Sequence, residues 1–342
     1  MKFFNNLKIL SYKLYKALSI FKIKAFLLFF LIIITTFTEA FSISIIYPLI
    51  ESLVSTDSQY NKINDFLEFF KIDFNIYSML FILFISISIK NLLLICRYYV
   101  EEDLGAFLRH TYMIKIFKNI LNGDFIKVSK YKVGSLNSIL INETANMTVC
   151  LRAFVRMISG TFLLIFLFFV FLYFNQNSET FLLLIIFVLI FFLLRPISRF
   201  IKRLGKKRIN ALQNYSSFFS DYIVNYKQIK LLGFEKKSFE NLHKFSYEFI
   251  KIIRLSKFIS QLTRPILETF FVTGIIILIL FYLIIANFNI NQILPILGLF
   301  IVIGYRSIAQ VDNVAKSLFA LSSYIASFDK IEKLISELEI EE

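Results

Sequence analysis

Phe218-Phe219-Ser220-Asp221-Tyr222-Ile223-Val224-Asn225-Tyr226-Lys227-Gln228-Ile229-Lys230-Leu231-Leu232-Gly233-Phe234-Glu235 is a polar and aromatic stretch that lies far from any hydrophobic span. Its flanks decide how it folds. Positions 195 to 264 carry sixteen Lys and Arg, few Gly or Pro, and apolar residues at helical spacing. A structureless connection of that size is improbable in a folded chain. The spacing instead predicts two helices that meet in this stretch, with Asp221 to Asn225 at the turn and Ile229 to Glu235 opening the returning helix. Positions 97 to 156 repeat the arrangement with nine Lys and Arg. There Asn122-Gly123-Asp124 ends one helix, Gly134-Ser135 starts the next, and residues 124–133 connect them. With ~25 residues per arm at 1.5 Å per residue, each hairpin projects on the order of 40 Å.

The hairpins hang from six apolar segments, roughly 25–50, 76–96, 157–174, 179–198, 266–286 and 292–308, each near the ~20 residues that cross a bilayer. A mean hydropathy of +0.70 and 57% hydrophobic residues place the chain in the membrane class. The fourth and sixth segments are the weakest, because Arg195, Pro196, Pro295 and Arg306 interrupt them. Ahead of the first, residues 1–24 hold six lysines and no acid, with Phe3, Leu7, Leu10, Leu14, Leu18 and Phe21 at helical spacing. That pattern predicts an amphipathic helix in the membrane interface. A signal peptide would have a shorter lead and a shorter apolar run, so residues 25–50 are a retained first span.

Charge sets the orientation. The segment from Glu51 to Asn75 has five acids and two lysines, whereas both hairpin segments are strongly basic. The basic segments and both termini are therefore cytoplasmic, which also accounts for the net charge of +14 without any nucleic-acid partner. The remaining outer links, Asn175 to Glu179 and Asn287 to Asn291, are brief. After Arg306, the residues Val311, Ala315, Leu318, Leu321, Ile325, Phe328, Ile331, Ile335 and Leu338 continue a helix, so residues 309–342 form a cytoplasmic extension. Cys96 and Cys150 are too far apart in sequence and too inward to predict a disulfide. His110 and His243 stand alone, without a metal or triad pattern. The fold class that follows is an all-α membrane protein of six long transmembrane helices with two cytoplasmic helical hairpins.

Two local motifs carry a family resemblance. Near the second tip stand Asp221, Asn225 and then Ile229-Lys230-Leu231-Leu232-Gly233-Phe234-Glu235, which follows an acid, a small loop and V-K-x-F/L-G-x-E. After the first tip, Gly134-Ser135-Leu136-Asn137-Ser138-Ile139-Leu140-Ile141-Asn142-Glu143 follows G-E/D-L-x-S-x-L-x-N-D/E, with Ser135 in place of the usual acid. With the six spans and the helical exit, nearly the whole chain resembles the transmembrane half of an ABC exporter, a type IV half-transporter. More narrowly, Thr38-Glu39-Ala40-Phe41-Ser42-Ile43-Ser44-Ile45-Ile46-Tyr47-Pro48-Leu49-Ile50 and Gly304-Tyr305-Arg306 resemble bacterial flippases that turn over lipid-linked oligosaccharides on a polyprenyl diphosphate.

The resemblance implies a homodimer in the bacterial inner membrane, working by alternating access and driven by a nucleotide-binding domain that carries ATP and Mg. It implies short coupling helices near Phe125 to Lys130 and Phe218 to Asn225. Phe125, Ile126, Lys127, Phe218, Phe219, Asp221, Tyr222 and Asn225 would then face that domain. Aromatic side chains at a tip so far from the bilayer have no lipid to bury in, so a partner groove is expected; the alternative is that they pack the hairpin together. No glycine opens G-x-x-x-x-G-K-[ST], so no cofactor is expected in this chain, and the ATPase is expected either on a truncated continuation or on a separate polypeptide. A peptide, toxin or drug exporter shares the scaffold. A membrane glycan polymerase or ligase would need a sizeable outer loop, and the brief outer links argue against it. A non-transporting scaffold is the third alternative.

Ionisable residues within apolar segments are costly and therefore informative. Arg97 and Arg195 fall at cytoplasmic ends, where they are expected to snorkel. Lys90, Arg264 and Arg306 sit on three different helices, and if they converge they would suit a diphosphate head through charge-assisted hydrogen bonds. Against this, Arg264 has Glu268 at i,i+4, and Lys90 either pairs with Glu39 or snorkels; Arg306 has no nearby acid in its own helix. Glu39 is a further substrate candidate, with an interhelical hydrogen bond as the alternative.

Overall fold

A computed structural model describes residues 21–46, 49, 76–131, 133–174, 207, 211, 214–215, 218–284 and 290–338. The interfacial helix expected before residue 21, the acidic outer segment and the fourth apolar segment lie outside the described residues. Among those described, every regular element is helical: α1 (Lys22–Ser44), α2 (Ile76–Asn122), α3 (Phe125–Ser129), α4 (Val133–Ser138), a π-helical turn (Ile139–Glu143), α5 (Thr144–Phe174), α6 (Tyr226–Leu232), α7 (Glu235–Ile284) and α8 (Ile290–Leu338). Three stretches, Lys22–Ser44, Tyr77–Asn122 and Leu136–Phe171, are long and apolar enough to cross a membrane. The fifth and sixth apolar segments fall within α7, apart from residues 285–286, and α8.

In α1 the hydroxyl residues are satisfied locally. The hydroxyls of Thr35, Thr36, Thr38, Ser42 and Ser44 donate to carbonyls three or four residues back. That is the arrangement an apolar solvent demands of a helix that carries hydroxyls. One face, Leu28, Ile32, Thr35, Thr36, Glu39, Ala40 and Ile43, is buried. Lys24 anchors its entry, reaching Asp103 at 2.7 Å and lying over the Phe107 ring.

α2 runs unbroken for 47 residues, from the apolar segment into the basic one. It stops at Gly123, after which the Asp124 side chain accepts from the Ile126 N–H at 3.0 Å and caps α3. The chain then returns antiparallel along α2. Arg97 donates to Ser159 at 3.0 Å, Arg152 meets Glu102 at 2.8 Å, and Arg109 reaches the Ile141 carbonyl at 3.3 Å. Arg97 does not snorkel, as its sequence position suggested. It is buried against α5, near Glu101, because the helix continues past it and the packed partner covers that face.

The longest seam is α5 against α8. Leu108, Ile116, Met147, Cys150 and Leu321 continue into Phe328, Ile331, Leu334, Ile335 and Leu338 as one buried cluster. A second cluster joins Ala40, Leu163, Leu167, Leu267, Phe271, Phe300 and Ile303, drawn from α1, α5, α7 and α8. Close approach in the seam depends on Gly160, where an added Cβ would lie 2.7 Å from Val314 Cγ2. Val314 is β-branched and stiff at χ1, so it cannot yield cheaply. Gly160→Ala therefore destabilises the protein. Overpacking of about 1–3 kcal/mol outweighs the roughly 1 kcal/mol that Ala gains over Gly in a helix. Thermal unfolding in detergent shows the loss, and Val314→Ala in the same chain restores the midpoint; an unchanged midpoint in the single variant would contradict this packing.

Candidate functional site

Three helices meet at a charged cluster set over the second apolar core. From α1 comes Glu39, buried on the packed face. From α8 comes Arg306, whose Nη2 pairs with Glu39 Oε1. From α7 comes Arg264, with Nε 2.8 Å from Glu268 Oε1 and Nη2 donating to the Tyr305 hydroxyl at 3.3 Å. Gly304 lets α7 and α8 close on one another, since a Cβ there would lie 2.1 Å from the Phe271 ring. Phe271 in turn packs on Phe300 with ring centroids 5.5 Å apart.

The sequence places cations at these positions, and the structure adds their acids. Arg306 has no acid in its own helix, but Glu39 reaches it from α1. Arg264 takes Glu268, one turn away. Lys90, expected beside these arginines, against Glu39 or snorkelling, is half-buried on α2 and forms no ion pair among the described residues. The cluster is thus two arginines with two carboxylates, neutral as a set, and not a ring of three cations. The signal for the Tyr305 hydroxyl was present in the Gly304-Tyr305-Arg306 motif, but its partner Arg264 is remote in sequence.

At the first tip, the five-residue α3 turns Val128 into the α5–α8 core and leaves Phe125, Ile126 and Lys127 outward, with Phe125 83% exposed. At the second, residues 218–224 are helical and Asn225 is a turn. The Asn225 side chain and backbone N–H both return to the Asp221 carbonyl, at 2.9 and 3.1 Å. The aromatics divide. Phe218 stacks on Phe245 of α7 at 4.1 Å and lies 5.9 Å from Tyr222, so these two serve the hairpin's own packing. Phe219 and Tyr226 are exposed. The outermost apolar groups are Val224 (81% exposed) and Leu231 (85% exposed), which an aromatic-centred reading of the sequence passes over.

The returning helix starts later than the sequence spacing predicts. Ile229 to Leu232 belong to α6, which ends at Gly233 with φ +65°. The Phe234 N–H bonds back to the Ile229 carbonyl at 3.1 Å, closing a Schellman-type cap that favours glycine. α7 then begins at Glu235, 3.2 Å from Lys230 across the break. The Glu235 carboxyl is held below the ordinary glutamate range, first by its own backbone N–H and then by Lys230. A depressed carboxyl lends its support above the ordinary value and loses it as pH falls through the folded-state value. Acidification should therefore lower the protection of the amides of residues 226–235, measured against the unstructured exchange rate at the same pH, and Glu235→Gln should do the same at neutral pH. Gly233→Ala, forced into the left-handed region at about 1–2 kcal/mol, should produce a larger loss in the same segment. Protection unaffected by all three would refute this account of the break.

The geometry is that of long helices extending past an apolar layer, with short capped elements at their tips and a charged cluster between three helices in which Glu39 alone is buried. A family model described as the ABC transporter transmembrane region matches residues 25–306. The chain belongs to that family, and it is a membrane-transport component of the kind that works with a nucleotide-binding domain.

Proposed function

We propose that this chain is the transmembrane subunit of an ATP-driven flippase, moving a lipid-linked oligosaccharide or a related anionic glycolipid across the bacterial inner membrane. It works as a homodimer with both termini cytoplasmic. The observation that carries the reading is the cluster of Arg264, Tyr305 and Arg306 on α7 and α8. Two guanidinium groups and a phenol supply donors for a diphosphate, while a polyprenyl tail stays in lipid. Glu39 and Glu268 hold the arginines until an anion takes their place.

Nucleotide-driven closure enters through the exposed apolar groups of the two tips: Phe125 and Ile126 on α3, and Phe219, Val224 and Tyr226 on the second. The hairpins act as levers, and the wings alternate access to the cluster. ATP and Mg belong to the nucleotide-binding domain. One feature favours a second reading, a peptide exporter: a cluster with both acids and arginines also suits a zwitterionic chain.

Replacing the interhelical pair by neutral near-isosteres, Arg306→Gln with Glu39→Gln, avoids leaving one buried charge unpaired, which would cost about 3–5 kcal/mol. In vesicles reconstituted with the full assembly, the double variant should keep its thermal midpoint and lose glycolipid translocation. Translocation at the unmodified rate would overturn the assignment, and ATPase stimulation by peptides but not by glycolipid would transfer it to the peptide reading.

A further inference from the structure

The two tips differ in what holds them. The described ties of the second run to its own returning helix, through Phe218–Phe245, Tyr215–Phe249 and Lys230–Glu235. The first is packed onto the last turns of α8. Ile116 and Val128 lie in one cluster with Ile331, Ile335 and Leu338. Asn119 donates to the Ile335 carbonyl at 3.3 Å, and the Tyr131 hydroxyl bonds the Glu337 carboxylate.

Behind this contact, on the returning arm, stands Glu143. Its Oε1 accepts from Lys330 Nζ at 2.7 Å, and its Oε2 from Ser327 Oγ at 2.6 Å and Asn146 Nδ2 at 3.1 Å. It ends the π-helical turn Ile139–Glu143, a rare local geometry that is frequent at functional sites. Burial ranks the polar ties. The Glu143 side chain is 12% exposed, against 44% for Glu337. Charge pairs open to water are worth little, whereas a buried and fully hydrogen-bonded carboxylate is not easily replaced. Lys330 is 32% exposed, so its ammonium can turn to solvent once Glu143 is neutralised. The joint can then open without unfolding the helices.

We propose that Glu143 is a positioning residue for energy coupling. With Lys330 and Ser327 it clamps the arm that returns from the first tip to α8 and so backs the tip's own contacts with the end of α8, so that α3 and the C-terminal turns of α8 move as one body under the nucleotide-binding domain. The inference rests on the reading of α3 as a docking element for that domain.

The test uses the full assembly in vesicles, with Cys96→Ser and Cys150→Ala and spin labels at positions 127 and 336. In the parent protein the distance between labels is narrow and stays so on trapping with ADP and vanadate. Glu143→Gln broadens it and lowers the translocation of a polyprenyl-diphosphate glycolipid per ATP hydrolysed by roughly tenfold, the loss of about 1.4 kcal/mol. The exchange Glu143→Lys with Lys330→Glu restores both, which a residue that merely filled space would not do. A narrow distance and an unchanged ratio in Glu143→Gln overturn the proposal. Phe125→Asp separates the two readings. If it leaves association and coupling intact, α3 is not the docking element; if it uncouples while Glu143→Gln does not, only the clamp is wrong.

Discussion

The seam between α5 and α8 is the constraint on which the rest depends. Gly160 brings the two helices close enough for Val314 to pack against backbone, and from there the shared core runs to Leu338. α8 carries Arg306 at the charged cluster and Lys330 at the first tip. A helix of 49 residues held along a partner is stiff, so a displacement at one end must appear at the other. The membrane cluster and the tip are thus two stations on one element, packed through two apolar clusters with the buried polar residues Asp312 and Ser317 between them.

Charge inside the apolar layer follows a pairing rule. A guanidinium there must find a carboxylate or reach water. Arg264 solves this within its own helix, at i,i+4, and Arg306 solves it across helices with Glu39. The two solutions have different mechanical consequences. The Arg264–Glu268 pair travels with α7 wherever it moves. The Arg306–Glu39 pair opposes separation of α1 from α8, because parting them leaves both charges unpaired in a poor solvent.

The sequence made the all-helical membrane class legible, since apolar runs of spanning length leave backbone groups no other way to be satisfied. The unbroken α2 was legible too, because helical spacing continues from the apolar segment through to Asn122. What the sequence could not show is partner choice. Glu39 and Arg306 were both singled out, yet local spacing says nothing about which helices adjoin, so Arg306 read as a free cation. Phe218 read as outward because aromatic residues at a tip look exposed, but Phe245, a full arm away in sequence, covers it. Gly233 was found as a motif position, and its left-handed φ then explains why the returning helix starts at Glu235 and not at Ile229.

Neutrality of the cluster bears on how an anion would be handled. If a diphosphate takes Arg306, Glu39 loses its partner while still buried on the packed face of α1. The gain from a charge-assisted contact, about 1.5–3 kcal/mol for each hydrogen bond to a charged group, then competes with a penalty of about 3–5 kcal/mol for the stranded carboxylate. One contact cannot win that exchange, but several donors acting together can, and Arg264 and Tyr305 are the further donors within the same reading. The alternative is that Glu39 is carried toward water as α1 parts from α8. Binding and helix separation are then the same event, which is the property an alternating-access device requires of its site.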